Sequence, residues 1–191
     1  MAAILCDPRD ELLQPCYSWN IAARFLRGET DKFLEGFYSY AAGGFKRKNK
    51  EPTETRHGVS VLANWLTLFW HQRNMLVYED GLDEATTLHY LRAVPRAWLE
   101  DGKQIVLENA PTYFGKTSLK VKSRLAEGVI EIELAPPKRS APSRMTLTLR
   151  LPSQRKIAGV QIDSKQYTDF SDDAIILPKR KDCMTIAVRV D

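Results

Sequence analysis

A chain of 191 residues that is 43% hydrophobic and 27% charged, with ten Gly and ten Pro, has the composition of a folded protein, which excludes disorder, collagen and low complexity. Its length admits one large or two small domains with real cores, and no apolar run approaches the ~20 residues needed to span a bilayer. Basic and acidic residues balance at ten each over positions 1–80, so the net +4 lies wholly in positions 81–191; spread over many short segments, it reads as a solvated surface and not as a nucleic-acid footprint.

Asp7, Arg9, Asp10 and Glu11 do not form the basic then apolar pattern of an export signal, so the sequence reads as cytoplasmic, with neither a membrane nor a nucleic acid as partner. Three cysteines, Cys6, Cys16 and Cys183, make an odd number without metal-ligand spacing, and neither a disulfide framework nor a zinc site is indicated. His57, His71 and His89 are scattered without an Asp/Glu/His ligand pattern, so no metal and no cofactor is expected.

The first elements read as helices. Residues 10–26 end at Arg27-Gly28, a basic last turn with a glycine stop. Thr30 or Asp31 then caps a helix over 32–42, with Phe33, Phe37, Tyr40 and Ala41 at helical spacing before Gly43-Gly44. The run Lys46-Arg47-Lys48-Asn49-Lys50 reads as a solvated loop. A third helix is expected over 58–78, where Val59, Leu62, Trp65, Leu66, Phe69, Met75 and Leu76 cover more than one stripe. Twelve of the eighteen aromatic residues fall before position 81. Three helices offer few places to bury them, so the helical part reads as a section of something larger.

Beyond Asp83 the period changes to alternation. Strands are expected over 86–94, 104–109, 117–124, 129–134, 145–151, 156–162, 174–177 and 184–190, with the alternation of Val129-Ile130-Glu131-Ile132-Glu133-Leu134 typical of half-buried antiparallel strands. Eight short strands separated by Gly, Pro, Ser and Asp turns argue for a β-sandwich.

The run from Leu88 through His89-Tyr90-Leu91-Arg92-Ala93-Val94-Pro95-Arg96-Ala97-Trp98-Leu99 to Lys103, followed by Glu108-Asn109-Ala110-Pro111-Thr112-Tyr113-Phe114-Gly115, resembles the C-terminal region of six-hairpin glycosidase-like proteins. In that family an (α/α)6 toroid passes into a β-sandwich. The resemblance implies an α+β chain in which residues 1–80 are the last helices of a toroid and residues 81–191 an antiparallel sandwich domain. A full toroid of about a dozen helices, at a mean of ~11 residues each, exceeds the space available. The missing N-terminal toroid section, or self-association, is therefore an expected partner alongside a carbohydrate substrate.

Glycoside hydrolysis usually needs two carboxylates flanking the scissile bond. The resemblance assigns the loop Glu51-Pro52-Thr53-Glu54-Thr55-Arg56-His57 to the barrel mouth, with Glu54 as the candidate acid or base and Arg56 and His57 as groups that orient it or contact a sugar hydroxyl. The basic residues at 46–50 would depress a neighbouring carboxylate's pKa, which suits a nucleophile or base better than an acid. The structural alternative is that Glu54 caps the next helix or pairs with Arg56. Trp19 and Asn20 are the candidate sugar-binding pair, an aromatic face beside an amide; a second carboxylate is not identified. The expectation is the C-terminal portion of a glycoside hydrolase supplying one side of the cleft and a bracing sandwich, with a non-catalytic carbohydrate-binding or structural module docking on a partner as the alternative.

Overall fold

The computed structural model describes residues 19–44, 62–80 and 86–191. The chain divides into two compact units, Met1–Asn74 and Met75–Asp191.

In the first unit, α1 (Trp19–Leu26) and α2 (Thr30–Gly44) are joined by a tight turn. Gly28 takes φ +72°, its N–H donates to Phe25 O and that of Glu29 to Arg24 O. This pair of bonds satisfies carbonyls that the helix end would leave bare, as the Arg27-Gly28 signal predicts. Thr30 is already the first residue of α2, and its hydroxyl donates to Gly28 O. The two helices bury Ile21, Arg24 and Phe25 against Phe33 and Phe37. Gly36 permits the close approach, since a Cβ there would lie 3.1 Å from Ile21 Cγ1 and 3.3 Å from Arg24 Nη1.

Helix α3 (Leu62–Leu76) buries His71 and Asn74 while leaving Leu66, Phe69 and Trp70 exposed. His71 sits against the rings of Phe33, Phe37 and Trp70, with centroids 5.0 to 6.5 Å away. Burial pushes its pKa down to about 4, so it is a neutral packing residue near pH 7. The third helix stops two residues earlier than the periodicity predicts. Val77–Asp80 forms strand β1, because Val77 to Asp80 pair in register with Tyr90 to Thr87, and tertiary pairing outweighs local helix preference. No described helix is long and apolar enough to cross a membrane.

The second unit is a two-sheet sandwich. One sheet has the order β1-β2-β6-β9 and the other β3-β4-β5-β10-β7-β8, the remaining strands being β2 (Thr87–Tyr90), β3 (Gln104–Thr112), β4 (Gly115–Arg124), β5 (Val129–Ala135), β6 (Arg144–Thr148), β7 (Ile157–Ile162), β8 (Lys165–Tyr167), β9 (Ala174–Leu177) and β10 (Met184–Val190). Leu88, Tyr90, Leu147 and Ile175 of the first sheet and Leu119, Ile130, Ile132, Ile186 and Val188 of the second are buried. At roughly 1.5–3 kcal/mol for each such side chain removed from water, this layer dominates the unit's stability. Eight strands were expected; β1 and β8 are the additions. The pairing is antiparallel except that β2 and β6 run parallel, which the three intervening strands in the other sheet make possible by carrying the chain across.

The run that carries the family resemblance builds the joint between β2 and β3. After Tyr90 the chain turns through Leu91 at φ 55°, and Arg96–Leu99 forms a single helical turn. Arg150 Nη1 donates to Val94 O and Arg96 Nη1 to Leu151 O, tying the joint to the segment after β6. Ser123 Oγ donates to Leu99 O at 2.8 Å in the interior.

Candidate functional site

Trp19 and Asn20 are the first two residues of α1. Glu54, Arg56 and His57, and with them the basic run at 46–50, lie outside the described residues.

The described site-like features belong to the sandwich. Strand β3 is an edge strand, and it is interrupted: Leu107 pairs with Leu119 and Ala110 with Thr117, so Glu108 and Asn109 together face Ser118 alone. This two-against-one arrangement is a β-bulge, a device that bends a strand and re-aims side chains. Asn109 adopts φ 51°, a region that Asn tolerates better than most residues, and its N–H donates to Ser118 Oγ at 2.9 Å. Three residues further on, Thr112 Oγ1 accepts from the Phe114 N–H and donates to Gly115 O, closing the hairpin that the Pro-Thr-Tyr-Phe-Gly run encodes. Tyr113 at its tip is held by Glu79 Oε1, which accepts its N–H.

Two grooves adjoin β3. One, of about 580 Å³, is lined by Val106, Glu108, Asn109, Ser118, Lys120 and Glu133, with Cys183 and Thr185 at its far side. The other, of about 490 Å³, is lined by Trp98, Glu100, Lys103, Gln104 and Val106 among others. Val106 belongs to both, and it is 53% exposed. Val106 is thus common to the two grooves, with Trp98 among the residues of one and Glu108, Asn109, Ser118 and Lys120 among those of the other.

No protein-family model matches the chain, and no curated protein matches it significantly. The structure resembles that of an alpha-L-rhamnosidase from Dictyoglumus thermophilum, a glycoside hydrolase, with a TM-score of 0.48 and 9% identity over 90% of this chain. The chain spans 20% of that chain's length. The likeness is a distant one.

A second polar cluster lies on the first sheet. Tyr78 and His89 are register partners and their rings stack at 5.8 Å between centroids, with the Arg92 guanidinium 5.0 Å from the centre of the Tyr78 ring. His89 Nε2 is 3.8 Å from Asp80 Oδ2, close enough for attraction but too long for a hydrogen bond. Burial, aided by the Arg92 charge, holds the imidazole pKa below its ordinary value against the opposing pull of Asp80. His89 is thus a neutral stacking residue near pH 7.

Trp98, Glu108, Asn109 and Lys120 were not among the candidate site residues read from sequence. The Glu-Asn-Ala-Pro signal was visible. What was hidden is the bulge, because its second residue is unmatched only once β4 is laid beside β3.

Proposed function

We propose that the chain is the C-terminal portion of a glycoside hydrolase acting on O-glycosidic bonds, contributing the last helices of an (α/α)6 toroid, one side of the cleft and the sandwich that braces it. The observation that carries the reading is the order of elements at the resemblance run: helices give way at residue 77 to a sandwich, and the run from Leu88 to Gly115 forms that sandwich's first joint and hairpin. Leu66, Phe69 and Trp70 support it. They recur at helical spacing on α3 and are 62%, 55% and 45% exposed, and large exposed apolar side chains suit an interaction surface, here for the remaining helices of the toroid. Glu54 is assigned as the carboxylate that works as base or nucleophile, with Arg56 and His57 orienting it and Trp19 and Asn20 contacting the sugar.

The test is turnover of a panel of nitrophenyl glycosides. The 191 residues alone are expected to act no faster than buffer, because two-carboxylate chemistry needs a second group from the completed toroid. In that complete context Glu54→Gln is expected to lower turnover by roughly 100-fold or more, the scale of losing a positioned acid or base. Equal rates would remove Glu54 from the mechanism and leave the chain as a non-catalytic brace or carbohydrate-binding module.

A further inference from the structure

The bulge in β3 and the grooves beside it have no part in that mechanism, yet they are built with care. A bulge that holds a non-glycine residue at positive φ has a local cost, and here it places Glu108 and Asn109 on the wall of a groove. The hydroxyl of Ser118 accepts the Asn109 N–H, which leaves its own proton available to an outside acceptor. On the other side of Val106, Trp98 is half-buried and lies in the single-turn helix, where its backbone N–H donates to Pro95 O and where the Leu99 carbonyl accepts from Ser123 Oγ.

We propose that the sandwich carries its own saccharide-binding track along β3, with the Trp98 indole stacking on one sugar ring and Glu108, Asn109, Ser118, Lys120 and Glu133 holding hydroxyls of the rings that follow. For its ligand class the proposal rests on the carbohydrate reading above; it requires no catalysis. A pyranose offers an apolar C–H face and a rim of hydroxyls, which matches an aromatic plane next to convergent donors and acceptors. From Gln104 to Leu107 the regular part of the strand covers about 10 Å at ~3.4 Å per residue, a length for more than one ring.

Other ligands fit less well. Glu100, Glu108 and Glu133 share the two grooves with Lys103 and Lys120, so the track is close to neutral and suits an uncharged glycan over a polyanion. An extended peptide adding along β3 would meet the bulge and then Pro111, both of which spoil strand pairing.

The experiment is native gel electrophoresis of the whole chain through gels containing, in turn, xylan, arabinan, galactan and mixed-linkage glucan. At least one is expected to retard the wild type. Trp98→Ala and the double variant Glu108→Ala/Lys120→Ala, each checked for folding by circular dichroism, should weaken that retardation at least tenfold. Arg189→Ala, on an exposed position of β10 outside both grooves, should not. The double variant alters only exposed side chains, so it decides the matter if Trp98→Ala fails to fold. Retardation by none of the four glycans, or equal retardation of the wild type and the double variant, would overturn the track, as would an equal loss in Arg189→Ala. None of these variants touches Glu54, and the hydrolysis assay succeeds or fails independently of them.

Discussion

Tyr90 and Thr117 join the two sheets of the sandwich through a buried hydrogen bond of 2.7 Å. Its direction follows from the next link in the chain: Thr117 Oγ1 donates its single proton to Ala135 O at 2.8 Å, so the Tyr90 hydroxyl is the donor to Thr117. The sequence shows Tyr90 only as an alternating strand residue. In the folded unit it is fully buried and must find a partner there.

The two ends of this link are not equivalent. Thr117→Val leaves the Tyr90 hydroxyl buried without its acceptor and is expected to cost about 1–3 kcal/mol, whereas Tyr90→Phe leaves the bond from Thr117 to Ala135 in place and should cost about 0.5–1.5 kcal/mol. Urea unfolding of both variants against wild type checks the order. A larger loss in Tyr90→Phe would reverse the assignment of donor and acceptor.

Alkaline titration offers an independent check. Burial raises the Tyr90 pKa to about 12 from 10. Below pH 10 the phenol is neutral in both folded and unfolded chains. Between pH 10 and 12 only the unfolded chain ionises, so stability falls across that window, by about 2–3 kcal/mol at 1.36 kcal/mol per unit. Tyr78 and Tyr167 are also shifted upward by burial and add to the trend. Thermal melts at pH 9, 10 and 11 should show a shallower decline in Tyr90→Phe.

His71 works in the opposite direction on the pH scale. With its pKa lowered from 6.5 to about 4 by burial, it leaves the folded helices intact above pH 6.5. As pH falls from 6.5 toward 4 the unfolded chain takes up a proton that the folded one refuses, at a cost approaching about 3 kcal/mol. Helical circular dichroism followed by thermal melting at pH 7, 6 and 5 should reveal the loss, and His71→Gln should flatten the slope. A wild type as stable at pH 5 as at pH 7 would contradict the burial of that ring.

Gly115 is required for space as well as for backbone conformation. It adopts φ +117°, and a Cβ there would come within 3.1 Å of Arg139 N and 3.2 Å of Arg139 Cβ. Gly102 has φ +74° but nothing within 4 Å of such a Cβ. Gly115→Ala should therefore destabilise by about 1–3 kcal/mol, and Gly102→Ala by roughly 1 kcal/mol. Denaturant midpoints for the two variants make the comparison; equal shifts would mean that the Arg139 backbone yields freely.

The sequence by itself determined the class of this protein, aromatic-rich helices followed by alternating strands, because helical and strand periods are local and need only neighbours along the chain. The glycine turn after α1 and the strands at 174–177 and 184–190 were legible for the same reason. Tertiary structure decided what depends on a distant partner. Val77–Asp80 became strand and not helix because β2 lies beside it, β2 and β6 pair in parallel because of where the other sheet carries the chain, and Asn109 became the unmatched member of a bulge because Ser118 stands alone against two residues. The grooves follow from that last fact. Trp98, Val106 and Lys120 are far apart in the chain's local code, and only the pairing of β3 with β4 and the turn at residues 96 to 99 bring an indole, an exposed apolar residue and an ammonium group onto one surface.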